Sequence, residues 1–402
     1  MKVIGRVPPI LLYFLISLST LTETVYSAAL PQIAEQLNTL GSIAQLSTTV
    51  YYTGFSVGIF TLGRISDFYG RRPVVLFGIA FYTIATLLIS FSTNIEMFIA
   101  LRFAQAYGAS VGSVVAQTMA RDSFKGWELS YIYASVSMIM AFVPSIGSAI
   151  GGYIIEYLKY WEYIFYFLVA FSTILGLVYF KFLPETNPHI GQVNDSKFYH
   201  VFLTAIKDKK LITFAIIVGV YNGLCFGFYI QAPFIFIERL QMSPSTYGKL
   251  FLLLTVSNLL GGLIARYMIS KYISTQKIMN LGLILSVIGC TSLLFCALFI
   301  TQDDVFYASI SVFVPMALQL MGHAMIVPML LRHAIEDYGK VTGTAGSIFG
   351  SMYYLITAAV SFMIATFHST KINNFAYLFA FLLALSVALF VYKNNTSFKN
   401  NG

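Results

Sequence analysis

The sequence predicts an all-α membrane protein, twelve transmembrane helices arranged as two pseudo-symmetric six-helix bundles. Three observations predict it. Of the 402 residues, 58% are hydrophobic and only 10% charged, against roughly one-quarter charged in soluble domains, so there are too few charges to cover a water-facing surface. The apolar residues fall in runs long enough to cross about 30 Å of hydrocarbon as helices. Of the 24 Lys and Arg, 19 fall on one side of those runs and four on the other, with Arg102 near a membrane face, which is the asymmetry of cytoplasmic loops.

Ten segments lack Asp, Glu, Lys and Arg: 36–63, 73–95, 103–120, 129–155, 163–180, 211–237, 278–302, 305–331, 341–370 and 372–392. Two more complete the set. Segment 7–34 is interrupted only by Glu23, and 250–265 is short but flanked by Lys249 and Arg266, whose stems can snorkel. The first run, with Lys2 and Arg6 ahead of it and Ser27-Ala28-Ala29 behind, also has the layout of a cleavable signal peptide. Glu23 inside it and eleven further spans favour a retained first helix. The basic residues then place both termini in the cytoplasm.

The longest polar stretch, about 183–210, holds Pro184, Asn187, Pro188, Gly191, Asn194 and four lysines. It divides the chain into an amino-terminal bundle, 1–186, a cytoplasmic linker, 187–210, and a carboxy-terminal bundle, 211–402. The halves echo each other: Ala29-Leu30-Pro31 to Glu35-Gln36-Leu37 closes span one, and Ala232-Pro233-Phe234 to Glu238-Arg239-Leu240 closes span seven. Two six-helix repeats around a midplane cavity are a transporter plan.

The net charge of +8 does not indicate nucleic acid, because the basic residues are thinly spread between apolar runs instead of clustered on one face. Cys225, Cys290 and Cys296 lie in apolar runs without metal-ligand or redox-pair spacing, so neither metal nor cofactor is expected. There is no phosphate-binding Gly-Lys-Ser/Thr loop for an ATP-driven pump, and no HExxH or paired catalytic constellation for an intramembrane enzyme. A sensor would need a soluble signalling domain, for which the tail after Tyr392 is too short.

Between spans two and three stands Gly63-Arg64-Ile65-Ser66-Asp67-Phe68-Tyr69-Gly70-Arg71-Arg72-Pro73. Gly63 allows close helix approach, Gly70 permits a tight turn, Asp67 can cap or pair, and Arg71 and Arg72 suit the headgroup level. The segment is similar to the loop 2–3 signature of the major facilitator superfamily. Arg102 to Gly112, running on to Arg121-Asp122, resembles the arginine-containing span-four motif of drug:proton antiporters. Pro144, Gly147, Gly151 and Gly152 resemble the antiporter motif of span five, and glycines and proline there allow bending and close packing. With Trp161 to Phe165, Leu183 to Thr186 and Gly343 to Ser347, the chain resembles the bicyclomycin-resistance (Bcr/CflA) branch of twelve-span drug:proton antiporters. It departs from that pattern at Phe68 and Gln117, where the family commonly has arginine, and at Ser148, where it has proline.

An ionised acid in the apolar interior costs roughly 2.5–3.5 kcal/mol, so it ordinarily faces a cavity and has a function. Only Glu23 of the 16 acids lies well inside a span, and it is the first choice for proton binding; the resemblance gives an acid in span one that role. Arg102 is the charge expected to couple to it, and Gln105, one turn further, shares its face. Tyr26, Tyr51, Tyr107, Tyr221 and Tyr229 are candidates to line a cavity for an aromatic or cationic substrate. His323 is a lone intramembrane histidine suited to proton traffic or to packing. The resemblance implies that Asp67, with Arg71, gates by meeting the start of span eleven, Thr342 to Ser347.

The function this implies is proton-coupled secondary transport of a small organic molecule across the bacterial inner membrane by a monomer, most directly export of drugs. A dedicated siderophore or metabolite exporter and a nutrient importer are the alternatives within the same superfamily.

Overall fold

In a computed structural model, which describes residues 5–188, 190, 195–299, 304–369 and 371–399, every regular element is a helix. The amino-terminal part comprises α1 (Pro9–Thr24), α2 (Leu30–Gln36), α3 (Gly41–Tyr69), α4 (Arg71–Ile89), α5 (Ile95–Ala109), α6 (Val114–Ser123), α7 (Gly126–Leu158) and α8 (Glu162–Phe182). After α9 (Asp195–Ala205) come α10 (Lys209–Pro233), α11 (Pro244–Ser270), α12 (Thr275–Phe299), α13 (Val305–Ile335), α14 (Thr342–Thr366) and α15 (Ile372–Lys399). The segment expected as a plain linker thus contains the 11-residue helix α9; its Val201 and Ala205, four residues apart, are buried on one face.

The helix starts follow the sequence chemistry. Asn94, Asp208, Ser243 and Asp304 accept backbone N–H groups at the starts of α5, α10, α11 and α13, satisfying donors that have no partner within the helix. Pro9 and Pro244 occupy first helical positions, where no N–H is needed. Gly70, at φ +100°, makes the sharp reversal from α3 to α4, a conformation that a side chain would strain.

Two expected spans are broken. The first is α1 and α2 joined by a 3-10 turn, Ser27–Ala29; the fourth is α5 and α6 joined by another, Ser110–Gly112. The fourth also starts earlier than its apolar count suggests. The Asn94 cap, accepting from Met97 N at 2.8 Å, begins the helix before Glu96, which places Arg102 two turns inside instead of at its mouth. The short run 250–265 extends in both directions to the 27 residues of α11.

Eleven helices among the described residues are long and apolar enough to cross a bilayer, counting each broken helix as one. The further long helix is α3, whose 29 residues suffice in length but include Ser42, Gln45, Ser47, Thr48, Thr49, Thr53 and Ser56. That polarity has a place to go. Gln45, Ser47, Thr48 and Ser56 are buried, while Leu177, Phe180, Leu263 and Phe299 are well exposed. Polar groups inside and bare aliphatic and aromatic groups outside are what a lipid solvent selects.

A large apolar core and a small cluster of Ala265, Ile278 and Met325 lie among α10 to α15, and two further cores lie chiefly among α1 to α8. The two sets of helices meet chiefly along α3 with α14 and along α7 with α11.

Candidate functional site

The broken first helix delivers Glu23 and Tyr26 from α1 and the turn after it, and α5 delivers Arg102 and Gln105. Each is buried in a region where burying charge is costly. The Arg102 side chain, with no solvent exposure, lies between two rings: its guanidinium carbon is 4.0 Å from the Tyr26 centroid and 4.3 Å from that of Tyr51. A planar guanidinium suits this double stack in a way that an ammonium does not.

Neighbouring polar groups fix the arrangement. Arg102 Nη1 donates to Gln105 Oε1, and Gln105 Nε2 donates to Thr86 Oγ1 of α4 at 2.9 Å. The Tyr26 hydroxyl bonds Thr48 Oγ1 of α3, and Tyr82 of α4 bonds Thr22 of α1 at 2.7 Å. Arg102 Nε and Nη2 are left without a hydrogen-bond partner among the described residues.

Glu23, 6% exposed, is within electrostatic reach of Arg102. Among the described residues no direct ion pair joins them. Glu23 lies near Tyr51, Tyr52, Cys225, Tyr353 and Tyr354, side chains drawn from both sets of helices. Between the sets runs an aromatic seam. Tyr52 lies 5.5 Å from Phe226 of α10 and Phe55 lies 4.7 Å from Tyr354 of α14, while the Tyr229 hydroxyl of α10 meets Ser145 Oγ of α7 at 3.3 Å.

The other cavity candidates are dispersed. Tyr107, half-buried, accepts from Thr61 Oγ1 at 3.1 Å and packs on Phe81, away from Glu23. Tyr221 is buried in the carboxy-terminal core. His323, half-buried, bonds Asn222 Oδ1 at 3.0 Å through Nε2.

At the end of the molecule bearing Gly70, Arg71 Nε contacts Asp122 Oδ2 at 3.1 Å, and Nη1 bonds Asp67 and Ser66. Arg72 Nη2 donates to Phe180 O at 2.7 Å. Asp67 therefore engages its own loop, and its carbonyl accepts from Asn187 at 3.0 Å. The expected meeting with Thr342 to Ser347 does not occur among the described side chains, Thr342 itself lying outside them; Gly63, not Asp67, approaches Ser347, a Cβ there lying 3.7 Å from its Cβ. The physical reason is local: Arg71, one turn on, is the nearer cation.

Sequence reasoning missed the group that organises this loop. Glu185, 4% exposed, accepts backbone N–H bonds from Arg71 at 2.9 Å, Arg72 at 3.1 Å, Thr186 at 3.0 Å and Asn187 at 2.9 Å. A carboxylate at a helix N-terminus is favourable, but nothing in the sequence spacing links position 185 to position 71.

At the opposite end the two sets of helices are bonded together. Gln45 Nε2 donates to Gln231 Oε1 at 2.9 Å, Thr49 bonds Ser361 at 3.2 Å, and Ser245 N, at the start of α11, donates to Glu156 Oε2 at 2.8 Å. The span-five residues sit here. Gly147 and Gly151 abut Thr24 and the Val25 carbonyl, and Gly152 abuts the Pro244 carbonyl. Each is too close for a Cβ, so α7 packs backbone to backbone on α1 and α11. α7 runs through Pro144 as one helix.

Comparison with known proteins agrees with this architecture. The Major Facilitator Superfamily model matches residues 12–361. An uncharacterised transporter of Rickettsia bellii is 50% identical, over 98% of both chains. A bicyclomycin resistance protein homolog of Haemophilus influenzae is 20% identical over 94% of both. The crystal structure of a D-xylose-proton symporter superposes with a TM-score of 0.78 at 12% identity, covering 95% of this chain and 96% of that one. The chain is a multi-pass membrane transporter that belongs to the major facilitator superfamily.

Proposed function

We propose that the protein is a proton-coupled exporter of small organic molecules, working by alternating access as a monomer in the bacterial inner membrane. Twelve spans with both termini cytoplasmic satisfy the charge asymmetry of the loops. They also give two six-helix units, 1–186 and 211–402, joined by 187–210. The bonded end, with Gln45, Gln231 and Glu156, is then the outer face.

The observation that carries this reading is the Glu23–Arg102 pair. An acid and an arginine are buried among the helices without a direct ion pair among the described residues, and two guanidinium nitrogens lack partners there. Such a pair has two states. With the proton bound, Glu23 is neutral and Arg102 rests on its tyrosines. With the proton lost, the carboxylate is balanced by Arg102 or by a cationic substrate. Exchange needs that linkage. Tyr26 and Gln105 hold Arg102, Tyr107, Tyr221 and His323 belong to the walls around the pathway, and the Gly63 to Arg72 loop gates its inner end. The relative named for bicyclomycin resistance supports export of a drug-like molecule.

The test is a resistance and accumulation panel in efflux-deficient cells, comparing wild type with Glu23→Gln at matched membrane expression. Wild type is expected to lower accumulation of at least one compound, and a protonophore and Glu23→Gln each abolish that. Lowered accumulation that survives both refutes proton coupling through Glu23.

A further inference from the structure

The carboxy-terminal wall holds a second polar group of residues that the Glu23 site does not use. Tyr221 and Asn222 come from α10, Ser286 from α12, and Gln319 and His323 from α13. The helices meet closely: a Cβ at Gly289 of α12 would lie 3.0 Å from Gln319 N, and Gly322 of α13 abuts Ser286 Oγ. His323 Nε2 is bonded to Asn222 Oδ1 at 3.0 Å. The Tyr221 hydroxyl and Ser286 Oγ face each other, while both amide atoms of Gln319 and His323 Nδ1 have no hydrogen-bond partner among the described residues. Tyr221, Ser286 and Gln319 are 1%, 0% and 4% exposed.

Buried polar groups in native proteins are almost always bonded, and three unpartnered atoms on two neighbouring side chains require water or a ligand to complete them. The group also opens towards the substrate path. Asn222, Cys225 and Phe226 share one face of α10 at spacings of three and four. Phe226 packs 5.5 Å from Tyr52 of the other helix set. Asn222 and His323 are the half-buried members at this opening. Depth agrees as well: at 1.5 Å per residue, Glu23 lies about 21 Å from the start of α1 at Pro9 and Asn222 about 20 Å from the start of α10 at Lys209.

We infer that Gln319, His323 and Asn222, backed by Ser286 and Tyr221, form a neutral hydrogen-bonding subsite that takes an uncharged hydroxyl or amide group of the substrate across the cavity from Glu23. The inference deepens the exporter reading and rests on it. It assigns the substrate two ends, one recognised by charge and aromatic rings on the amino-terminal wall, the other by donors and acceptors on the carboxy-terminal wall. A site built from hydrogen-bonding groups discriminates strongly against molecules lacking them, because its own polar atoms are then left unpaired.

The experiment measures binding to the purified full-length protein in lipid nanodiscs, using two probes. Bicyclomycin is neutral and bears hydroxyl and lactam groups; tetraphenylphosphonium is an aromatic cation with no hydrogen-bonding group. Gln319→Met, close in shape, is expected to weaken bicyclomycin binding about tenfold and to leave tetraphenylphosphonium within twofold, with a melting temperature equal to wild type or higher. Ser286→Ala, a milder change, is expected to weaken bicyclomycin several-fold. Bicyclomycin bound as tightly by Gln319→Met as by wild type overturns the subsite, as does wild type that binds tetraphenylphosphonium and not bicyclomycin. Wild type that binds neither probe marks the failure of the exporter reading, and the subsite falls with it.

Discussion

Substituting Gly108 by alanine tests whether the packing of α5 on α4 holds the arginine site together. A Cβ at Gly108 would lie 2.7 Å from Gly78 O and Tyr82 N and 2.9 Å from Tyr82 Cα, all backbone atoms of α4, where ordinary contact begins at 3.4 Å. No rotamer relieves such an overlap, so the helices must part by about 0.7 Å, which takes the 2.9 Å bond from Gln105 to Thr86 to about 3.6 Å, past hydrogen-bond range. Overpacking of this kind costs roughly 1–3 kcal/mol, and alanine returns up to about 1 kcal/mol through helix propensity. Gly262 of α11 is the control, because a Cβ there meets nothing within 4 Å. Thermal unfolding of both variants in one detergent is expected to place Gly108→Ala below wild type and Gly262→Ala level with it or slightly above. Transport by Gly108→Ala is expected to fall about five- to tenfold, the effect of losing about 1 kcal/mol of bonding that orients Arg102. Equal melting temperatures for the two variants, with full transport by Gly108→Ala, refute the reasoning.

Further perturbations probe other parts. Arg102→Lys keeps the charge but loses the planar stack on Tyr26 and Tyr51, and substrate accumulation in vesicles is expected to drop at least tenfold while membrane expression holds. Glu185→Gln replaces the carboxylate that accepts two backbone N–H groups at the start of α4 and two from Thr186 and Asn187; charge-assisted bonds being worth roughly 1.5–3 kcal/mol, the melting temperature is expected to fall by several degrees, read by nanoscale differential scanning fluorimetry. Gln45→Leu cuts the bond to Gln231, and a cysteine placed at Ser361 is expected to react faster with a membrane-impermeant maleimide applied from outside.

Much of the fold was legible because lipid leaves a coarse signature: long apolar runs, few charges and a one-sided distribution of Lys and Arg. The misplaced details have physical reasons. Counting from the first uncharged residue starts the segment at Phe103, but the helix begins at the Asn94 cap, since Glu96 is favourable in a first turn and Arg102 rests on a pair of rings. α3 reads as the most polar span because its serines and threonines face other helices. Glu23 and Arg102 stood out singly as charges in apolar segments. The nearness of Glu23 to Tyr353 and Tyr354, and the stacking of Arg102 on Tyr51, did not, because they join residues some 50 to 330 positions apart and no periodicity records them. Asp67 and Arg71 are legible as a pair in the loop and meet as such, but the carboxylate that holds the loop's backbone, Glu185, is not.

The central claim is that proton and substrate meet through Glu23. Its most direct test is the comparison of two modes of transport in proteoliposomes holding wild type or Glu23→Gln, with labelled tetraphenylphosphonium as substrate. One mode is accumulation driven by an imposed pH gradient, and the other is exchange against unlabelled substrate with no gradient. The account predicts that Glu23→Gln loses gradient-driven accumulation and keeps a measurable share of exchange. Gradient-driven accumulation by Glu23→Gln equal to wild type would contradict it.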